Sequence, residues 1–134
     1  MSEQLALLPE YLTAHIQLTL VALLLSTAVS LPLGIAVTRA KWLEQPVIGL
    51  AGVIQTVPSL ALLAIMVPIL AGLELPSIGF LPAIIGLTLY GVLPILRNTV
   101  TGIAGVAPAV KEAARGVGMT SWQQLVRVEL PLAM

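Results

Sequence analysis

The 134-residue sequence is 58% hydrophobic and 9% charged, with six basic and six acidic residues and no formal net charge. Soluble domains carry about 25% charged residues, so this composition belongs in a bilayer and excludes an ordinary water-soluble enzyme. The sequence contains no cysteine and no aspartate, which excludes disulfide frameworks, cysteine redox or metal chemistry and paired-aspartate catalysis; the length holds three spans of about 20 residues and no second domain.

Residues 1–10 contain Glu3 and Glu10 and no basic residue, the wrong sign for a secretory signal peptide. They are expected to form a short interfacial lead-in. The first span is expected over 12–37, its polar residues mostly small ones (Ser26, Thr27, Ser30) that let helices approach closely. His15 reads as a headgroup-level histidine bonded to water; a lone histidine without carboxylate neighbours makes no metal site. Pro32 and Gly34 are expected to kink or loosen the inner end.

Arg39, Lys41 and Trp42 form a short basic turn with an interfacial aromatic, and Glu44-Gln45-Pro46 opens the next helix. The second span is expected over 47–72, kinked at Pro58. Proline frees a backbone carbonyl, and Gln55, Thr56 and Ser59 can supply donors. Because an amide in hydrocarbon is costly without a partner, Gln55, Thr56, Pro58 and Ser59 are candidates for lining a pathway as well as for a structural kink.

A polar turn at 74–79, punctuated by Pro76 and Gly79, leads to a third span over 80–106. Tyr90, Gly91 and Pro94 lie in its interior and Arg97-Asn98-Thr99 toward its far end. Tyr90 and Asn98 join the pathway candidates, Arg97 is placed to snorkel to the opposite interface, and Gly86, Gly91, Gly102 and Gly105 read as packing residues.

Residues 108–131 cannot lie in a bilayer. Pro108 suits a first helical position, Ala109, Ala113 and Gly116 share a small-residue face, and Gly118 stops the helix. Thr120 and Ser121, each followed three residues later by glutamine (Gln123, Gln124), announce a second helix through a capping box. Trp122, Leu125, Val126 and Leu130 form its expected apolar side. Helix, elbow and amphipathic helix together make a protrusion suited to docking in a groove on another protein. Within it, Glu112 can pair modestly with Arg115.

In a three-span arrangement all six basic residues fall on one side and Glu3, Glu10 and Glu74 on the other. The positive-inside rule then puts the amino terminus outside and the docking segment in the cytoplasm.

Glu112-Ala113-Ala114, Gly118, and Val128, Leu130 and Pro131 resemble the EAA loop of ABC importer permeases. The match implies that Glu112, Ala113, Ala114, Gly118, Leu130 and Pro131 couple the membrane helices to ATPase subunits. Residues 55–64 (QTVPSLALLA) and 79–103 (GFLPAIIGLTLYGVLPILRNTVTGI) narrow the resemblance to osmoprotectant permeases of the glycine betaine, choline and carnitine type, over nearly the whole chain. It implies an all-α, polytopic transmembrane helical bundle occupying 1–134 as a single permease domain in a bacterial or archaeal cell membrane. The implied partners are cytoplasmic ABC ATPase subunits, an extracytoplasmic substrate-binding protein, a second permease copy and the lipid bilayer, with no nucleic acid and no cofactor. Permeases of this kind continue past Leu-Pro into additional spans, so the resemblance also implies a chain cut short of the whole domain.

No catalytic constellation and no phosphate-binding loop occur in the sequence, so ATP hydrolysis is expected on a partner. Both tryptophans lie on the basic side, and Phe80 and Tyr90 alone make no aromatic cage for a quaternary amine. Alternative readings are a permease for another small solute such as an amino acid, or a non-transporting scaffold that recruits a cytoplasmic partner.

Overall fold

Between Pro9 and Pro32 the chain carries neither glycine nor proline, and nothing in that run interrupts helical hydrogen bonding. The computed structural model, which describes residues 2–133 and the side chains of residues 7–133, accordingly forms one helix, α1 (Ser2–Arg39), through both prolines. The expected lead-in is therefore the first part of this helix; Met1, Met134 and the side chain of Glu3 lie outside the described residues. A tight 3-10 turn, Lys41–Leu43, joins α1 to α2 (Glu44–Thr56), which is followed by α3 (Ser59–Gly72) and α4 (Phe80–Gly105). After α5 (Pro108–Gly116) comes α6 (Ser121–Gln124), then a π-helical stretch, Leu125–Glu129, and α7 (Leu130–Ala133). No strand occurs among the described residues. The fold is the all-α bundle expected.

Helices α1 and α4 make the principal packing, and they run parallel. The Ser26 hydroxyl donates to the Thr88 carbonyl at 3.0 Å, that of Ser30 to the Val92 carbonyl at 3.1 Å, and Gly34 lies against Thr99. Both helices thus advance in the same direction along the contact. Two glycines permit this approach: a Cβ on Gly34 would lie 2.6 Å from Thr99 Cγ2, and one on Gly91 would lie 2.9 Å from Ser26 Cβ. Gly34 is thus a packing residue, and α1 runs unbroken past it to Arg39. Gly102 likewise admits Ala133, whereas Gly86 meets only Leu63 at an ordinary 3.6 Å and Gly105 faces open space.

Parallel neighbours must be joined by something that carries the chain back. Helices α2 and α3, 13 and 14 residues long, bend by 96° at a break around Pro58. At 1.5 Å per residue each is about 20 Å long, too short alone for a hydrocarbon core of about 30 Å. Two such rods at this angle reach roughly 27 Å end to end. The pair as a whole therefore returns the chain from the Arg39 end to the start of α4 and behaves as one broken span. The expected kink is a full break because Pro58 takes an extended ψ of 137° and opens a new helix.

Val37, Ala51, Leu93, Leu96 and Val100 form a core where α1, α2 and α4 meet, near the basic end. Elsewhere Leu20, Leu24, Val53 and Leu60 are exposed, as spans that face lipid require.

Gly91→Ala is expected to lower stability in detergent by about 1–3 kcal/mol through overpacking against Ser26. Pairing it with Ser26→Gly should recover most of that loss in a thermal-unfolding assay; a silent Gly91→Ala would mean that α1 and α4 approach less closely.

Candidate functional site

Residues 108–131 build the elbow that their local chemistry dictates. Pro108 stands at the start of α5, and Gly118 follows its end with φ +79°. The Met119 amide donates to the Ala114 carbonyl at 3.1 Å and the Gly118 amide to that of Arg115 at 2.9 Å, the paired bonds of a Schellman stop. The next helix opens with a reciprocal capping box: the Gln123 amide donates to Thr120 Oγ1 and the Thr120 amide to Gln123 Oε1.

The faces of these helices differ from expectation. Ala114 is buried in α5, while Ala109, Ala113, Gly116 and Glu112 remain exposed. In the following helix Gln124, Leu125 and Glu129 are buried, whereas Trp122 is 70% exposed and Val126 also faces outward. The Leu130 amide donates to the Leu125 carbonyl, one residue further back than in an α-helix, and Glu129, one turn after buried Leu125, shares its inward face.

Glu129 is 1% exposed, and both carboxylate oxygens are engaged. Arg39 Nη2 donates to Oε2 at 2.8 Å and Gln124 Nε2 to Oε1 at 2.6 Å. The last residue of α1 is thereby tied to the segment that follows the elbow. Among the described residues this is the one salt bridge, and Glu112 and Arg115, within reach of each other by spacing, do not pair. Lys111 Nζ donates to the Ile103 carbonyl at 2.9 Å. Because α1 and α4 are parallel, both carbonyl-rich ends converge here, and Arg39 and Lys111 offset their partial negative charge.

The pathway candidates divide. Pro94 lacks the N–H that would bond the Tyr90 carbonyl four residues back, and Gln55 Nε2 supplies the donor at 2.9 Å. Tyr90 in turn donates its hydroxyl to the Val57 carbonyl, which the break at Pro58 leaves without a helical donor. Gln55, Tyr90 and the Pro58 break therefore form one reciprocal joint between α2, α3 and α4. Ser59 and Tyr90 share the wall of a largely apolar cleft of about 210 Å³. Thr56 instead bonds the Val53 carbonyl of its own helix, so it does not serve the freed carbonyl. Asn98 lies apart, exposed near Leu31, Thr99 and Leu130. Glu129, missed from sequence, and Gln124, read there only as a capping residue, sit at the centre of the clasp; a carboxylate between Val128 and Leu130 was the available signal.

Residues 28–134 match the family model described as binding-protein-dependent transport system inner membrane component. The chain is 47% identical over 120 residues to the Bacillus subtilis glycine betaine/carnitine/choline transport system permease protein OpuCB, covering 90% of this chain and 52% of that one. It is 42% identical over 120 residues to the Salmonella typhimurium osmoprotectant import permease protein OsmW, covering 90% and 55%. With the Listeria monocytogenes carnitine transport permease protein OpuCB it shares 48% identity over 117 residues, covering 87% and 51%. The chain thus spans about half the length of the curated relatives it matches.

Arg39→Met is expected to loosen the elbow, since it strands a buried carboxylate. The Arg39 side chain is 39% exposed, so screening reduces the cost to roughly 1–3 kcal/mol. Adding Glu129→Leu should restore most of the protection of residues 119–133 against proteolysis in the whole polypeptide. Equal protection in wild type and Arg39→Met would show that apolar packing alone holds the segment.

Proposed function

The chain belongs to the binding-protein-dependent transport system inner membrane component family, and from that premise we propose that it is the membrane-spanning permease part of an ATP-driven importer. Its substrate class is the osmoprotectant quaternary amines, such as glycine betaine, carnitine and choline, for which its relatives are named. The chain performs no hydrolysis in this reading. Partner ATPase subunits supply the energy, an extracytoplasmic binding protein delivers the solute and supplies most of the selectivity, and a second permease copy completes the pathway.

One observation carries the assignment: the elbow at Gly118 is clasped to the last residue of a membrane-crossing helix through Arg39 and Glu129. An ATPase that moves the elbow would move α1 with it. The exposed face with Glu112 and Ala113 is the surface offered to the ATPase, while Ala114 packs inward and Leu130 and Pro131 lead back toward α4. In this reading the joint of Gln55, Tyr90 and Pro58 is where the broken span flexes as the pathway opens, with Ser59 on its wall. Asn98 lies on the outward face of α4, where the second copy or the pathway would meet it. The basic ends of α1 and α4 face the cytoplasm, in accord with the positive-inside rule.

Gly118 has open space where a Cβ would go, so substitution there strains the left-handed backbone by roughly 1 kcal/mol and re-aims the elbow without a clash inside the chain. Gly118→Asp or Glu112→Lys in the whole polypeptide should reach the membrane yet lose ATPase association or substrate-stimulated ATP hydrolysis. Normal stimulation and uptake in both variants would refute the coupling assignment. Cysteines placed at Ser77 and Ser121 check the orientation: an impermeant thiol reagent should label the first in intact cells and spare the second.

A further inference from the structure

Around the clasp lies a cavity of about 320 Å³ that the coupling reading leaves unused. Four cations line it, Arg39, Lys41, Lys111 and Arg115, against two carboxylates, Glu44 and Glu129. The cations come from three separate places, the end of α1, the turn before α2, and α5. Their engagements differ. Arg39 gives one nitrogen to Glu129 and Lys111 caps the Ile103 carbonyl. Lys41 and Arg115 form no ion pair and no side-chain hydrogen bond among the described residues.

The remaining wall is of another character. Val100, Ile103 and Ala104, from the last turns of the membrane-crossing α4, border the cavity; Val100 and Ile103 are buried, and Ala104 is exposed. Since α1 and α4 run parallel and both end here, the cavity sits at the depth where hydrocarbon gives way to headgroups. Exposed Trp42, beside Lys41, is a side chain suited to that boundary. Exposed cations with no ion-pair partner, beside exposed Ala104 and Trp42 at the rim of a bilayer, match a phosphate that carries acyl chains better than a freely dissolved anion.

We propose that this cavity binds the headgroup of an anionic phospholipid. Lys41 and Arg115 hold the phosphate, the guanidinium nitrogens of Arg39 left over from Glu129 add to it, and the glycerol and upper acyl carbons lie along exposed Ala104 and Trp42. The bound lipid would bridge the α1–α2 turn and α5, bracing the elbow against the spanning helices. The site makes no use of the ATPase, so it stands or falls separately from the coupling role.

The test uses the whole polypeptide purified from membranes containing phosphatidylglycerol, with retained lipid measured by native mass spectrometry before and after exchange into phosphatidylcholine nanodiscs. Wild type should keep phosphatidylglycerol through the exchange, and Lys41→Gln with Arg115→Gln should weaken that retention by roughly tenfold or more. Lys41→Gln alone, on an exposed turn, provides the reading if the double variant fails to fold; its retention should fall by several-fold. Equal retention in wild type and either folded variant would overturn the site. Ready displacement of the lipid by millimolar inorganic phosphate would overturn the lipid assignment in favour of a free anion.

Discussion

Two helices that lie side by side and point the same way impose a demand on everything between them. In this chain the demand originates in two small contacts, Ser26 against Gly91 and Thr99 against Gly34, which set the direction and depth of α4 relative to α1. The connection must then cross back, and it does so as α2 and α3 together, neither of which is long enough alone. The same pairing brings the carbonyl ends of α1 and α4 to one place. That convergence is why cations collect there.

Prolines in the spans are accommodated by borrowing. Pro94 deprives the Tyr90 carbonyl of its donor, and Gln55 from α2 provides one. The Pro58 break leaves the Val57 carbonyl bare, and the Tyr90 hydroxyl serves it. An amide and a phenol that look expensive in hydrocarbon are thus each matched to a carbonyl that a proline exposed. The joint thus holds α2, α3 and α4 together through two hydrogen bonds that the prolines themselves make available.

What could be read from the sequence was what neighbours in the sequence decide. The spans at α1 and α4, the left-handed Gly118 and the Thr120–Gln123 capping box all follow from residues within a turn or two of one another. The inward face of the last helix did not: Glu129 lies on the same helical stripe as Trp122, Leu125 and Val126, but a carboxylate is buried there only with a partner, and that partner, Arg39, lies 90 residues away. The break at Pro58 was legible as a kink, whereas the donor for the carbonyl it exposes, Tyr90, comes from another helix. Of the pathway candidates, Gln55 and Tyr90 meet through long-range bonds, while Thr56 turned out to serve its own helix.

The clasp also has a bearing on assembly in time. Arg39 is made 90 residues before Glu129, so it waits at the headgroups while the broken span and α4 are inserted. A carboxylate destined for a site 1% exposed finds its counter-ion only if those segments have crossed the intended number of times. A chain that inserted with one crossing too few would leave Arg39 and Glu129 on opposite faces of the bilayer, each without its partner. Closure of this one bond is therefore a molecular signature that the broken span and α4 have threaded correctly, and an unpaired Glu129 would mark the molecules in which they have not.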